Sequence, residues 1–218
     1  MSALSPLLPA RRRSEIPPVR APLDLAALVG AEGWSRLPPA VRRRFAAGHG
    51  DALYTGRTDL RCSRIGRVFA WLARLVGAPL TGLNVNGAPT TVQVHDDGRG
   101  GMVWERHFDG SAQVVRSTKE IDARSGELSE RTDGGLSMAL DVFEEDGALV
   151  FRSRRYWLAI GRLRLPVPAL LSPGICRVTH TNLGFGFFRF TLSMVHPLWG
   201  ETFHQSGVFA DPDERAGT

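Results

Sequence analysis

Lysine is almost missing from this chain: of its 27 basic residues one, Lys119, is a lysine and the others are arginines. Cysteine is nearly as scarce. Cys62 and Cys176 stand far apart, with no second Cys or His at ligand spacing, which excludes a disulfide scaffold and fits a reducing compartment. Two tyrosines and one lysine leave no tyrosine–lysine reductase site at its usual spacing. No window reaches the ~18 uninterrupted apolar residues that a membrane helix needs. The best apolar runs are broken by Arg74, or by Arg162 and Arg164. The N-terminus has no long apolar core after its charges, so no secretory signal is expected and the cytoplasm is the expected location. There is no phosphate-binding loop, Gly184-Phe185-Gly186 lacks the rest of a dinucleotide fingerprint, and Gly135 to Ala139 lacks the strand–turn–helix context of a nucleophile elbow.

What is present is an ordinary globular composition, 43% hydrophobic and 22% charged over 218 residues, enough for one domain with a real core. The formal net charge is +5. The arginines are dispersed and no aromatic-interleaved RNA-binding signature accompanies them, so nucleic acid is not the expected partner.

Residues 1–22 are rich in proline and arginine with little periodicity, and read as a disordered leader; residues 211–218 read as a flexible tail. Between them lies a single domain, 23–210. Its first part, 23–80, is helical in pieces, and the clearest helix spans Ser63 to Val76, where Ile65, Phe69, Leu72 and Val76 recur at helical spacing before Gly77. From 81 to 210 the period is 2. Hairpin signals at Asp96–Gly101, Ser125-Gly126 and Asp146-Gly147, a further turn at Gly161, and at least three later strands predict about 7–10 antiparallel strands. The fold class is mainly β: a curved antiparallel sheet or partly closed barrel with the helical segment packed on it.

Alternation then selects candidate site residues. Phe188, Phe190, Leu192 and Met194 share an apolar face that His196 continues. If Pro197 to Gly200 is a four-residue loop, His196 opposes Glu201, and Met194, Leu192, Phe190 and Phe188 oppose Phe203, Gln205, Gly207 and Phe209. His204 opposes Ser193 on the other face, so His196, Glu201 and His204 are not expected to converge on a metal. Trp104, Arg106 and Phe108 share one face, and Phe151, Ser153, Arg155 and Trp157 another. Arginines among inward aromatics need an acid, Glu201, Glu120 or Glu130, or a ligand's anionic group.

The segments WERHFDG (104–110), ELSE (127–130), LVFRSRRYWLAIGRLRLPVPALLSPG (149–174) and FRFTLSMVHPLWGETFHQSGVF (188–209), with the Leu-Pro-Pro-x-Val-Arg of Leu37 to Arg42, give the chain a resemblance. It resembles a bacterial family catalogued as domain of unknown function 4166, over nearly everything after the leader. Similar chains are often joined to a saccharopine-dehydrogenase-like NAD-binding domain, which implies metabolic context and a partner oxidoreductase. It implies no cofactor for this chain, which lacks that domain.

Two functions from different classes follow. The preferred one is a binding module for a small apolar or amphipathic anionic, lipid-like molecule, held by Arg106 and Arg155 with Trp104, Trp157, Phe190, Met194 and Phe203 as lining. The alternative is an enzyme with His196 as general acid or base oriented by Glu201, or an accessory of an NAD-dependent oxidoreductase. No metal and no cofactor are expected. The leader carries almost no patterned apolar residues to bury. Deleting residues 1–20 is therefore expected to leave the melting temperature within error, and a drop of several degrees in a thermal melt would show that it docks.

Overall fold

The computed structural model describes residues 22–47, 51–75, 82–110, 114–161 and 163–212. Three short helices come first, α1 (Leu25–Val29), α2 (Ala31–Arg36) and α3 (Pro39–Arg44). After them come β1 (Ala52–Cys62) and α4 (Arg64–Leu75). A meander continues through β2 (Val85–Asp96), β3 (Met102–Phe108), β4 (Val114–Ile121), β5 (Leu128–Thr132), β6 (Leu136–Glu145) and β7 (Ala148–Ile160). The last strands are β8 (Leu163–Val167), β9 (Ile175–Gly184), β10 (Phe187–His196) and β11 (Gly200–Ala210).

Strands β1 to β7 pair in sequence order, all antiparallel. β7 then forks. Its first half, Leu149 to Arg152, pairs with β9, and its second half, Tyr156 to Ile160, pairs with β8. β9, β10 and β11 follow, and β11 returns to β1 over Thr55 to Cys62. The result is a closed ten-stranded barrel with β8 attached outside the circle. Closure removes the unpaired edges that an open sheet of this size would expose. The mainly β expectation therefore holds, with one strand that the pattern missed: β1 lies in the stretch read as helical pieces. The expected leader to Ala21, Val76 with the Gly77 stop, and residues 213–218 lie outside the described residues.

The turns carry the chemistry expected of tight hairpins. Asp146 and Gly147 both have positive φ, 51° and 76°, as a two-residue primed turn requires between β6 and β7.

One mouth of the barrel is plugged by α1–α3. Asp24 caps α1, its Oδ1 accepting from the Ala27 amide at 3.1 Å. Leu23, Leu25, Leu37, Val41 and Phe45 are buried on this segment, and they join the barrel interior. Phe45 follows α3 directly and enters deepest, with its ring against Trp104, Phe151 and His180. Arg44 pins the plug, giving a two-pronged ion pair to Asp211 just past β11 (2.8 and 2.7 Å) while its guanidinium lies 3.8 Å from the centre of the Phe188 ring.

The opposite mouth is crossed by α4, in an orientation the sequence pattern does not anticipate. Ile65 and Leu72, read as core positions with Phe69, are exposed; Gly66, Phe69, Ala70 and Ala73 face the barrel instead. Contact is too close for larger residues. A Cβ added at Gly66 would sit 1.9 Å from the Thr202 carbonyl oxygen.

Phe45 is the side chain on which the plug's packing converges, and a fully buried Phe→Ala change typically costs about 3–5 kcal/mol. Phe45→Ala is expected to lower unfolding stability by that amount, read from the urea midpoint. A loss below about 1 kcal/mol would show that the plug contributes little.

Candidate functional site

Alternation along a closed barrel assigns every residue to the interior or the outside, and several polar residues of this chain have inward parity. Arg106 on β3, Ser117 and Lys119 on β4, Glu130 on β5, Tyr156 on β7, Cys176 and His180 on β9 and Gln205 on β11 lie among the apolar core. The chain's one lysine is thus inside. Lys119 and Glu130 are direct cross-strand neighbours, with Nζ 3.2 Å from Oε2, and both are buried. The Lys119 ammonium also lies 5.0 Å from the Trp104 ring centre and 5.3 Å from that of Phe151.

Arg106 differs from its neighbours. It is 6% exposed, and its guanidinium lies 5.4 Å from the centre of the Phe190 ring. It makes no ion pair within 4 Å among the described residues. Burial depresses both the Arg106 and the Lys119 pKa, more than nearby Glu130 restores. Burial works to raise the Glu130 carboxyl, but Lys119 and Arg106 together outweigh it and hold it below the usual carboxylate range. The Cys176 thiol is pushed up to about 12 by burial and then by Glu130, and burial likewise raises the Tyr156 hydroxyl, which donates to the Gly174 carbonyl at 2.9 Å. His180 is driven well below its ordinary range by burial and by Arg44, Lys119 and Arg106, so it is neutral. Two cations then face one carboxylate, and the interior carries one surplus positive charge.

Arg106 forms part of the wall of two voids. The larger, about 90 Å³, is lined by Arg106, Glu130, Met138, Tyr156, Cys176 and Met194 among others, with the half-buried Val115 and Leu136 and the exposed Arg116 also in its wall. The smaller, about 10 Å³, lies among Trp104, Arg106, His180, Phe188 and Gln205. That is room for about one water. Around the smaller void the Trp104 Nε1, His180 Nδ1 and Gln205 Nε2 atoms have no hydrogen-bond partner among the described residues. The indole N–H and the guanidinium can only donate, so an acceptor placed here would be used.

The sequence-derived candidates divide. Trp104, Arg106, Phe190 and Met194 meet inside the barrel, and Phe203 lies beside Met194 at a small gap under α4. Arg155 and Trp157 do not join them. β7 carries a bulge at Arg154, since Ala139 pairs with Arg155 and Leu140 with Ser153. The extra residue reverses the parity. Ser153 and Tyr156 point inward, Arg154 and Arg155 both meet Glu127 outside, and Trp157 lies under Arg164 of β8.

A second bulge undoes the His196–Glu201 pair. The register pairs Ser193, Met194, Leu192, Phe190 and Phe188 with His204, Phe203, Gln205, Gly207 and Phe209 as the alternation predicts. Beyond Met194 it shifts, so that Val195 opposes Glu201 and His196 opposes Gly200. The loop has three residues, not four, and Gly200 takes the positive φ of 66° that such a turn needs. His196 is buried between Phe69 and Trp199, its Nδ1 accepting from the Leu198 amide at 3.1 Å. Glu201 instead faces His204 at 3.4 Å. Among the described residues no group of three or more His, Cys, Asp or Glu could hold a metal.

Lys119, Glu130, Tyr156, Cys176, His180 and Gln205 were not among the sequence candidates, although Glu130 was one of three acids offered to the inward arginines. One signal could have found Lys119: it is the single lysine in an arginine-biased chain, placed in a strand where Ser117 and Ile121 share its parity.

Fold and site together define an up-and-down β-barrel with a charged interior and a small cavity at its arginine. The chain belongs to the family described as domain of unknown function (DUF4166), whose model matches residues 37–209, from the plug to the end of β11. No curated protein and no solved structure matches the chain significantly.

The interior also sets a pH dependence. The unfolded chain takes up a proton at His180 as pH falls through about 6.5, while the folded chain resists it, so stability falls on acidification from there. Glu130 has the same sign: its contribution is full above about 4.5 and is lost as pH falls below that value. Urea midpoints are expected to decline from pH 7 toward 5 and again below 4.5. His180→Gln should flatten the upper part of the decline; an unchanged profile in that variant would remove His180 from the account.

Proposed function

We propose that the barrel is a binding module for a small amphipathic anion, with the anionic end held at Arg106 and the apolar part in the adjoining cavity. One observation carries this reading: Arg106 is buried at the cavity wall with no ion pair of its own among the described residues, while Lys119 already neutralises Glu130. A surplus buried cation is costly, and a bound carboxylate- or phosphate-like group relieves the cost. The unpartnered Trp104 indole and Gln205 amide nearby favour an acceptor-bearing ligand in the same way. Size limits the choice. An interior of about 90 Å³ suits a small head group or short chain, and anything longer extends past Val115 and Leu136 toward solvent. Buried free thiols at Cys62 and Cys176 suit a reducing, cytoplasmic setting. An oxidoreductase partner, implied by the resemblance of the sequence, enters as the user or supplier of the held molecule.

Arg106→Met keeps the apolar stem and removes the charge, and it leaves Glu130 paired with Lys119. The melting temperature is expected to hold or rise. Native mass spectrometry of the freshly purified protein is expected to show a co-purified small anion that the variant loses, with affinity for added carboxylates weaker by about 1.5–3 kcal/mol. Loss of about 3–5 kcal/mol of stability with no effect on any ligand would make Arg106 a structural residue and end the binding-module reading.

A further inference from the structure

The helix α4 is built inside out. Its small residues, Gly66, Ala70 and Ala73, with Phe69, face the barrel, and its large apolar residues face solvent: Ile65 is 36% exposed, Val68 52%, Trp71 59% and Leu72 42%. At 100° per residue these four form one stripe opposite the packed face. The β10–β11 turn extends it, because Trp199 stacks against His196 and touches Phe69, and both Leu198 and Trp199 remain largely exposed. An exposed apolar stripe of this kind marks an interaction surface rather than packing of the barrel.

Charge singles out the partner. Arg64, Arg67 and Arg74 accompany the stripe on α4 and Arg61 precedes it at the end of β1, and all four are exposed. None makes an ion pair among the described residues. On the barrel wall Arg116, Arg131, Arg154, Arg155 and Arg177 each meet a carboxylate, and of the exposed arginines without one among the described residues the four at α4 are those that adjoin an exposed apolar stripe of a helix. On β1 and β11, the strands that α4 contacts, Asp59 accepts from the Gly87 amide at 2.6 Å, and Glu201 faces His204. His196, His204 and the buried Cys62 are other titratable groups of the strands beneath. A second copy of the chain would bring two sets of four arginines face to face across a two-fold axis, which repels. An anionic lipid surface accepts both features at once, with the apolar stripe in the acyl boundary, tryptophans at the interface and arginines among the head groups.

The geometry points to α4 and the Leu198–Trp199 turn as a docking face for an anionic membrane surface. This face is the outer side of the barrel's α4 end, so it stands apart from the interior site at Arg106. The test is co-sedimentation of the full chain with vesicles of phosphatidylglycerol and phosphatidylcholine, against vesicles of phosphatidylcholine alone. Retention is expected on the mixed vesicles only, falling as salt is raised. Val68→Glu with Trp71→Glu should weaken it at least ten-fold, and Arg64→Gln, Arg67→Gln or Arg74→Gln by roughly five-fold each. Leu53→Glu, an exposed apolar position near the other mouth, and Arg106→Met should leave it unchanged. No retention on the mixed vesicles at low salt overturns the proposal, as does equal retention of the Val68/Trp71 variant. So does a dimer in analytical ultracentrifugation that this variant dissolves, which would make the face a protein interface.

Discussion

Closure of the sheet is the constraint from which the rest follows. Once β11 pairs with β1 and β7 with β9, each strand residue has two destinations, a low-dielectric interior or the outer wall. A charged residue with inward parity cannot turn away. Arg106, Lys119 and Glu130 are committed in this way, and the Lys119–Glu130 ion pair is the response that the interior makes by itself. It neutralises one cation and leaves the other. The proposed ligand answers that imbalance, while His180 is kept neutral first by burial and then by the cations around it, Arg44, Lys119 and Arg106.

Bulges are the second control on what the barrel presents. At Arg154 one extra residue sends two consecutive arginines to Glu127 on the outside and brings Tyr156 inward, where its hydroxyl reaches the Gly174 carbonyl. At Thr202 a similar shift moves Glu201 away from His196 and aims the threonine hydroxyl at the carbonyls of Pro173 and Met194. Each bulge dissolves a plausible polar site and strengthens the wall instead.

The two mouths are closed by different means. The α1–α3 segment inserts large side chains, Phe45 above all, and is pinned by the Arg44–Asp211 ion pair. At the other mouth α4 lies flat on backbone through glycine and alanine, which leaves its bulky residues outside. Packing by small residues brings a helix close but buries little apolar area, so the exposed stripe is the counterpart of the close approach. The cavity also lies toward this less filled end, with Val115, Leu136, Cys176 and Met194 in its wall.

The sequence by itself determined the mainly β class, the hairpins at Asp96–Gly101, Ser125-Gly126 and Asp146-Gly147, the Phe188–Phe209 register as far as Met194, and the inward placement of Trp104 and Arg106. These depend on period-2 alternation and on turn residues with positive φ, which are local properties. The sequence also shows a helix near 63–76, but its period alone does not say which of two apolar stripes faces the protein, and the choice of the Gly66–Ala70–Ala73 side comes from how closely the β11 backbone approaches. Only the tertiary structure decided that Arg155, Trp157 and Glu201 lie outside the site, because a single bulge residue reverses parity without leaving a mark on composition or spacing. It also decided that the lone lysine sits inside a closed barrel against Glu130, since strand partners eleven residues apart become neighbours only through the register of β4 with β5.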